Sequence, residues 1–395
     1  MNVKLIDPSA FTPPYDRSLA AALARAGADV ELITSEFTYG PVPEPEGYEV
    51  SLDFYRRISP RARRLGKALS QVPEMRRLKH KLDSASGPTV THYQWLTMPG
   101  LDRRLISERR PRVMTAHYIL PPEPGRRQVS AARKLFGSMD AVIAHSGRGA
   151  DRLTGEVGLP AERVRVIPHG AFDYLTRLPE EKPLPAELAE PGPAGTASAA
   201  LASDPAEAAR PPVVLFFGLL RPYKGIDVLI RAAEQLATPT GEVAPELWIV
   251  GNPRMDLTGL MEQTARLRLE VRWLPRFIED DEIPAIMRRA DVLVLPYLDG
   301  EQSGVLYTGI AFGKAMVVSD VGGIGEVARE HGVASLVQPG DAEALGEELS
   351  RLVIGPEAAT GRARLEASCR AAAAGPFAWD AVARDTLGLY RELLP

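Results

Sequence analysis

Two basic residues stand close together in a short turn between an apolar run and an amphipathic segment. Arg221 and Lys224 occur in LLRPYKG, which follows the apolar run Val213–Phe217 and Gly218. Beyond the turn, apolar residues recur at helical spacing in IDVLIRAAEQL, which predicts a helix. A strand, a glycine turn and a helix direct backbone N–H groups toward an anion. Two cations there can bind a diphosphate, and a solvated surface turn is the plain alternative.

The composition indicates a protein of two ordinary domains without an unusual partner. The chain has 395 residues, 45% of them hydrophobic, and a net charge of −4. This charge gives no reason to expect nucleic acid binding. The single cysteine, Cys369, is too few for a disulfide framework or a structural zinc site. Neither a signal peptide nor an apolar run of about 18 residues is visible, so we expect a cytoplasmic protein.

Strand and helix patterns alternate through the first half of the chain. MNVKLID, DVELIT, TVTHY, VMTAH, MDAVIAHS and RVRVIP have the apolar content of strands, with helical segments such as SLAAALARAG among them. This alternation predicts an open parallel α/β sheet, and we assign residues 1–177 to an N-terminal Rossmann-like domain. No G-x-G-x-x-G follows the first strand, which argues against a nicotinamide or flavin dinucleotide site.

Two of these predicted strands end in a histidine, namely His92 and His117. Ligands of open α/β sheets bind at the carboxyl ends of the strands, which makes both histidines candidate site residues. Tyr15 and Asp16, in the loop and helix start after the first strand, have the types of ordinary turn and cap residues. An ordinary structural role is also the alternative for the two histidines.

The second half repeats the alternation after a change of composition. Residues 178–211 are rich in Pro, Ala, Glu and Gly and nearly lack large apolar residues, which predicts a flexible linker. VVLFF, ELWIV, RLEVRWLP, DVLVLP and AMVVSD then read as strands separated by helices. We therefore expect a second Rossmann-like domain over residues 212–376 and a last helix within 377–395.

A basic amphipathic segment lies in the first half. Residues 54–82 contain ten Lys or Arg against one Glu, with apolar residues recurring among them. Helices of this kind can lie on anionic membrane surfaces, so residues 56–81 are a candidate for peripheral contact with the inner face of the membrane. The alternative is a solvated helix face in an arginine-rich protein.

Five motifs in a fixed order resemble the family 4 glycosyltransferases. They are FFGLLRPYKGIDVLI, LWIVG, ADVLVLPY, AFGKAMVVSDVGG and the terminal FAWDAVARDTLGLYREL. The resemblance implies the GT-B fold, two Rossmann-like domains facing across a cleft, with the last helix crossing back to the first domain. It implies retaining transfer of a sugar from a UDP- or GDP-sugar to a hydroxyl of a glycan, lipid-linked or small-molecule acceptor. No metal and no bound cofactor are expected.

The resemblance also assigns roles to single residues. His117 and Glu301 are expected to be catalytic, and Tyr15, Asp16 and His92 to lie on the acceptor side. The residues expected to bind the donor and its diphosphate are Gly218, Arg221, Lys224, Gly251, Phe277, Ile278, Ser303, Gly304, Val305 and Thr308.

One departure from the family pattern leaves the ribose contact open. The family usually has two glutamates separated by seven residues, but here Glu301 is followed after seven residues by Gly309. Thr308 is a possible counterpart, and EQSGV resembles a variant with Gln-Ser-Gly in place of Glu-x-Phe-Gly. Two other classes therefore stay open: a sugar-nucleotide epimerase, which needs acid/base carboxylates, and a non-catalytic sugar-nucleotide-binding protein.

Overall fold

The protein divides into two compact units. Unit 1 comprises Met1–Gly170 and Gly375–Pro395, and unit 2 comprises Ala171–Ala374. The computed structural model describes residues 1–37, 42–56, 63–96, 99–121, 123–189, 210–236 and 243–394. Among the helices in these ranges, none is both long enough and apolar enough to cross a membrane.

Unit 1 is built on a seven-stranded parallel sheet with the strand order β3-β2-β1-β4-β5-β6-β7. The strands are β1 (Asn2–Asp7), β2 (Asp29–Ser35), β3 (Glu49–Phe54), β4 (Thr89–Tyr93), β5 (Arg112–Thr115), β6 (Ala141–Ala144) and β7 (Val164–Val166). The chain reverses its direction of travel across the sheet between β1 and β4. Such a switch point opens a crevice at the carboxyl ends of the two strands, where ligands bind in open α/β sheets.

Helices connect these strands and bury one face each. They are α1 (Pro13–Arg25), α2 (Arg63–Asp83), α3 (Pro99–Asp102), α4 (Arg126–Phe136) and α5 (Gly147–Gly155). One core of the unit joins apolar side chains of the sheet, such as Ile6 and Ile33, to those of helices α2 and α4, such as Met75 and Leu135. This packing holds the carboxyl ends of the strands in fixed positions.

Unit 2 contains a six-stranded parallel sheet with the order β10-β9-β8-β11-β12-β13. Its strands are β8 (Val213–Phe217), β9 (Glu246–Val250), β10 (Glu270–Leu274), β11 (Val292–Leu295), β12 (Ala315–Ser319) and β13 (Ser335–Val337). The order is that of a Rossmann sheet, and the switch point lies between β8 and β11. Strands of a parallel sheet are covered on both faces, which explains the continuous apolar runs of the sequence.

Helices connect the strands of unit 2, and the last helix of the chain belongs to unit 1. In unit 2 they are α6 (Ala186–Ala189), α7 (Ile226–Ala232), α8 (Thr258–Thr264), α9 (Ile283–Arg289), α10 (Gly304–Ala311), α11 (Gly322–His331), α12 (Ala342–Val353) and α13 (Ala358–Ala374). The last helix, α14 (Trp379–Leu393), belongs to unit 1 and packs on α1. A Cβ atom on Gly170 would lie 2.4 Å from Trp379 Cε2, so this packing requires glycine at position 170.

The structure corrects the predicted start of the linker. Residues 171–189 belong to unit 2, whereas the sequence placed 171–177 in the first domain and began the linker at 178. Leu188 is buried, and its carbonyl accepts a hydrogen bond from Arg272 Nη1 at 3.2 Å. Ion pairs of Glu181 with Arg288 and of Lys182 with Asp281 also hold this stretch, although its composition is polar. The rest of the predicted linker, residues 190–209, lies outside the described residues.

The basic segment is helical from Arg63 onward, in α2. Residues 57–62 of the predicted segment lie outside the described residues. Lys79 and Lys81 form ion pairs with acids of their own unit: Asp83 and Glu108 for Lys79, Glu31 and Asp53 for Lys81. These two charges are therefore partly neutralised within unit 1, and the proposed membrane contact stays a prediction.

Candidate functional site

Two glycines shape the switch point of unit 2. Gly218 follows β8 with φ +117°, and its N–H donates to the Val250 carbonyl at 3.0 Å. Gly251 follows β9 with φ +142°, and a Cβ atom there would lie 1.7 Å from the Gly218 carbonyl oxygen. Only glycine fits both positions. The backbone here is consequently bare of side chains, so a ligand can approach it closely.

Lys224 is a buried cation at this edge of the sheet. Its side chain is 7% exposed, and Nζ donates to the Tyr297 hydroxyl at 2.7 Å while lying 4.4 Å from that ring's centroid. Burial lowers the pKa of Lys224 to about 8, and the charge of Arg221 also lowers it. In the described part of the chain, neither Lys224 nor Arg221 has a carboxylate partner. Because a buried charge without a counter-ion is costly, the arrangement is suited to binding an anion.

The N-terminus of helix α10 lies beside Lys224. Ser303 precedes the helix, and its Oγ lies 3.2 Å from the Tyr297 hydroxyl, which joins it to the Lys224 contact. A Cβ atom on Gly218 would lie 3.1 Å from Val305 Cγ2, so the first turn of α10 adjoins the glycine turn. The first N–H groups of a helix and its dipole favour an anion. Gly218, Lys224, Gly251, Ser303 and Val305 therefore form one cluster, the donor-side cluster.

Two positions on α10 bear on the predicted ribose contact. The buried Thr308 hydroxyl donates to the Gly304 carbonyl at 3.0 Å within its own helix, and the donor contact of Thr308 stays a prediction. Gly309 faces the core, where a Cβ atom would lie 2.4 Å from Met316 Sδ and 2.8 Å from Leu293 Cδ2. A glutamate has no room there.

The other predicted residues of unit 2 occupy the same edge of the sheet. Gly304 is the exposed first residue of α10, and Glu301 lies half-buried three positions before it. Phe277 and Ile278 follow the edge strand β10, with Phe277 45% exposed and Ile278 buried. Their roles in donor binding and catalysis stay predictions.

In unit 1, four adjacent strands present a histidine at or just after their carboxyl ends: His92 on β4, His117 after β5, His145 after β6 and His169 after β7. The ring centroids of His117 and His145 lie 5.1 Å apart, and those of His145 and His169 lie 5.2 Å apart. Sequence analysis proposed only the first two. The strand-end positions of His145 and His169 were the signal that could have identified the others.

The hydrogen bonds of this histidine cluster determine where its protons sit. His145 Nδ1 lies 3.0 Å from the Ile167 carbonyl, which can only accept, so Nδ1 carries a hydrogen. Burial lowers the pKa of His145 to about 4, so at neutral pH its Nε2 is an acceptor for His117 Nδ1 at 3.3 Å. Burial also lowers the pKa of His117 well below 6.5. Neutral His117 therefore carries its hydrogen on Nδ1.

The other nitrogen of His117 then has a lone pair that faces an amide. His117 Nε2 lies 2.9 Å from the Gln94 side chain, placed with Oε1 toward the ring. Since amide oxygen and nitrogen are assigned from the bonds they can make, neutral His117 requires the amide nitrogen of Gln94 to donate here. The opposite orientation, with Oε1 toward the ring, pairs with a His117 that carries a hydrogen on Nε2.

The three residues predicted for the acceptor side are buried in the structure. His92 is fully buried, with Nδ1 2.6 Å from the Tyr390 hydroxyl and Nε2 2.7 Å from Thr115 Oγ1. Tyr15 is 2% exposed and packs among the rings of the histidine cluster and Trp379. Both side chains hold neighbouring residues in place, and their place on the acceptor side stays a prediction.

Asp16 is also buried and forms a carboxyl pair with Asp7. The Asp7 carboxylate accepts the backbone N–H groups of Ser9 at 3.2 Å and Phe11 at 2.6 Å. Burial, followed by the charge of Asp7, raises the pKa of Asp16 well above its usual value. A neutral Asp16 can donate to Asp7, so the pair holds one proton and fixes the loop after β1.

An exposed aromatic face, which sequence analysis missed, lies beside His117. Trp95 stacks on His117 with a centroid distance of 5.3 Å and an interplanar angle of 11°. Phe11 covers Trp95 at 5.1 Å and is 57% exposed. Aromatic faces of this kind contact the apolar faces of ring-shaped ligands. Within the described residues, no group of three or more His, Cys, Asp or Glu side chains is arranged to hold a metal ion.

Two family models match the chain, one in each unit. The model described as Glycosyltransferase Family 4 matches residues 16–171, and that of the Glycosyl transferases group 1 matches residues 211–354.

Curated relatives give the same assignment. The alpha-maltose-1-phosphate synthase of Mycolicibacterium smegmatis is 31% identical over 336 residues, which cover 79% of this chain and 81% of the relative. The D-inositol 3-phosphate glycosyltransferase of Rhodococcus jostii is 28% identical, over 68% of this chain and 56% of the relative.

Solved structures agree in fold along nearly all of the chain. The sucrose-phosphate synthase of Thermosynechococcus elongatus gives a TM-score of 0.69 at 20% identity, covering 99% of this chain and 98% of its own. Anabaena HepE, solved in complex with UDP, gives 0.68 at 20% identity and covers both chains fully. These likenesses establish two parallel α/β domains of the GT-B type.

Proposed function

The chain belongs to the family 4 glycosyltransferases, and on this premise we propose that it moves a sugar, with retention of configuration and without a metal, from a nucleotide-diphosphate sugar to an acceptor hydroxyl. The observation that carries the proposal is the buried Lys224, held by Tyr297 and without a carboxylate partner in the described residues. UDP-sugars are the first donors to consider, because HepE was solved with UDP-glucose, and GDP-sugars the second.

Lys224, Arg221 and the first turn of α10 would hold the diphosphate. A protonated Lys224 donates to a phosphate oxygen, and Arg221 can offer two parallel N–H groups. The exposed N–H groups at Gly304 and Val305 add the favourable end of a helix dipole. Charge developing on the leaving diphosphate would be stabilised by these groups, which supports a reaction without a metal.

The transfer step needs no nucleophile from the protein. The bond between the sugar's anomeric carbon and the diphosphate oxygen breaks, and a bond to the acceptor oxygen forms on the same face. The proton of the acceptor hydroxyl passes to an oxygen of the leaving diphosphate. The protein then contributes mainly orientation and charge stabilisation. Glu301 and His117 are proposed to contact the sugar during this step.

The exposed face of Phe11 and Trp95 supports an acceptor with a ring. The names of the relatives, which include an alpha-maltose-1-phosphate synthase and an inositol phosphate glycosyltransferase, suggest phosphorylated sugars or polyols as first acceptors to try. The exposed Phe11 would contact the apolar face of such a ring, with Trp95 supporting Phe11 from behind.

Calorimetric titration with UDP and with GDP tests the donor assignment. We expect Lys224→Ala to weaken binding by roughly 1.5–3 kcal/mol, the range for a hydrogen bond to a charged group. Because only protonated Lys224 donates to a phosphate, affinity should also fall as pH rises above about 8. This pH dependence should be absent in Lys224→Ala.

Arg231→Ala is the matched control, since Arg231 is an exposed cation of the same unit, paired with Asp227 at 3.6 Å. Equal affinity of Lys224→Ala and the wild-type protein for both nucleotides would overturn the diphosphate site. Turnover that disappears in EDTA and returns with added metal would overturn the metal-free mechanism. A sugar nucleotide altered by the enzyme without any acceptor would indicate an epimerase instead.

A further inference from the structure

A positively charged groove lies on unit 1, formed by residues that have no part in the proposed reaction. Its volume is about 450 Å³. The lining residues are Arg103, Arg104, Arg126, Arg127, Ser130, Ala131 and Lys134. Five of the seven side chains are cationic and none is acidic. We call this feature the cationic groove.

The position of these residues follows from the geometry of helix α4. Arg126, Ser130 and Lys134 are spaced by four residues, so they lie along one face of the helix. The opposite face, with Leu135 and Phe136, is buried in the core of the unit and fixes the rotation of α4. The small side chains of Ser130 and Ala131 leave the space between the cations open.

Nothing in the described residues neutralises the groove. None of its five cations forms an ion pair or a hydrogen bond there, whereas other arginines do, such as Arg276 with Glu282 and Arg351 with Glu348. Asp102, which immediately precedes Arg103, is buried and instead accepts a hydrogen bond from Gln71 at 2.8 Å. The nearest acid in the chain is therefore turned away from the groove.

Two of the arginines lie where the helix dipole also disfavours a positive charge. Arg126 and Arg127 stand in the first turn of α4, at the positive end of the helix dipole, where cations are unfavourable. Like charges this close raise the free energy of the unliganded protein. An anion in the groove would relieve this repulsion, and arginines suit phosphate because they offer paired N–H donors.

We propose that the cationic groove binds a free small ligand carrying two or more phosphate groups. Five cations exceed what one phosphate can engage, and the volume falls in the range of small-molecule sites. Among the described residues that line the groove none is aromatic, so they offer no ring on which a nucleobase could stack. None of the exposed large hydrophobic side chains in the described ranges lines the groove either, which disfavours a lipid headgroup, because binding to a membrane would also involve apolar contacts.

Inorganic pyrophosphate is the probe, titrated calorimetrically into full-length protein carrying Arg221→Ala and Lys224→Ala. These two substitutions remove the proposed donor site, so the remaining binding belongs to the groove. We expect one site whose affinity falls with added salt. Adding Arg127→Ala and Lys134→Ala should weaken binding by at least about tenfold, because each removes a charge-assisted contact.

Arg76→Ala with Arg77→Ala is the control pair, since both arginines are exposed on α2 and their loss changes the net charge equally. We expect this pair to leave the affinity unchanged. Equal weakening by the two pairs, or no binding in the parent variant, would overturn the proposal. All four positions are exposed on helices, and the melting temperature of each variant checks folding. Failure of the donor site would be recognised separately, from UDP binding to the wild-type protein.

Vesicle sedimentation distinguishes a free ligand from a lipid headgroup. The wild-type protein and the Arg127→Ala, Lys134→Ala variant are mixed with phosphatidylcholine vesicles, with and without phosphatidylglycerol. We expect the two proteins to sediment alike. If the variant alone fails to sediment with anionic vesicles and pyrophosphate does not bind, the groove recognises lipid phosphate and the proposal of a free ligand is wrong.

Discussion

The bonds of His117 place its hydrogen on Nδ1, and this can be observed directly. Nδ1 faces His145, whose own hydrogen is committed to the Ile167 carbonyl. In the wild-type protein at pH 7, a long-range proton–nitrogen NMR spectrum should show the Nδ1–H tautomer of His117. His145→Phe removes the acceptor, so the Nε2–H tautomer, donating to Gln94 Oε1, should then become populated.

The exposed His80 on α2 serves as the internal reference, because its surroundings are the same in the wild-type protein and in the His145→Phe variant. Finding the Nε2–H tautomer in the wild-type protein would show that the hydrogen-bond chain is wrongly assigned. A spectrum of His117 that His145→Phe leaves unchanged would show that His145 does not position it. Either result would show that the hydrogen bond to His145 does not determine the tautomer of His117.

For single residues, the sequence indicated which residue types lie near one another better than it indicated how deeply each side chain is buried. Arg221 and Lys224 could be proposed because two cations in a glycine turn before a helix can bind a diphosphate. Tyr15 and His92 were placed on the acceptor side, yet both are buried in the structure. Depth depends on which side chains from distant strands and from α14 cover a residue, and local spacing does not contain that information.

Helix α10 illustrates how one element excludes the second glutamate of the family pattern. Gly309 lies against Met316 and Leu293, so Gly309→Ala should lower stability by about 1–3 kcal/mol through overpacking. Urea unfolding, followed by circular dichroism, measures this loss. A larger side chain should cost more, so a glutamate could not be restored here by a single substitution.

Gly388→Ala is the matched control, because Gly388 also lies inside a helix, α14, but has open space around its Cβ position. Alanine has the higher helix propensity, so this substitution should be neutral or stabilise by up to about 1 kcal/mol. If the two variants change stability equally, the packing argument at Gly309 fails. The ribose contact would then again have a possible position on α10.

Two strands of unit 2 that are buried on both faces were predicted to the residue, whereas an edge strand of unit 1 was missed. β8 and β9 coincide with the apolar runs VVLFF and ELWIV. β3 was missed because EVSLDF is an edge strand whose polar residues face solvent and interrupt the run. The stretch ending at Leu188 was predicted to be linker because an average of composition does not show the buried Leu188 or the ion pairs of Glu181 and Lys182.

For the whole molecule, the uneven distribution of histidines predicts that the two units respond differently to acid. Four of the six histidines form the cluster in unit 1, and unit 2 contains only His331. Burial lowers the pKa of His92 to about 3 and of His145 to about 4, and lowers those of His117 and His169 well below 6.5. All four are therefore neutral in folded unit 1 at neutral pH.

The sign of the effect follows from proton binding. Below pH 6.5 the unfolded chain takes up protons that the folded cluster excludes, so the free energy of unfolding of unit 1 decreases as pH falls toward 4. Each such proton contributes up to about 1.4 kcal/mol per pH unit. Asp7 and Asp16, whose pKa values are raised, act in the opposite direction. This pair retains one proton in the folded state, whereas the four histidines each exclude one, so the effect of the histidines is the larger.

Differential scanning calorimetry between pH 7.5 and 5 tests this expectation. Two transitions should be seen, and added UDP should identify that of unit 2 by raising its melting temperature. The transition of unit 1 should move to lower temperature on acidification while that of unit 2 moves much less. His80→Gln should leave the profile unchanged, because His80 is exposed and lies outside the cluster. Equal shifts of the two melting temperatures would mean that the four histidines do not determine acid stability. A larger fall in the melting temperature of unit 2 would contradict the assignment of the acid sensitivity to the buried, neutral histidines of unit 1.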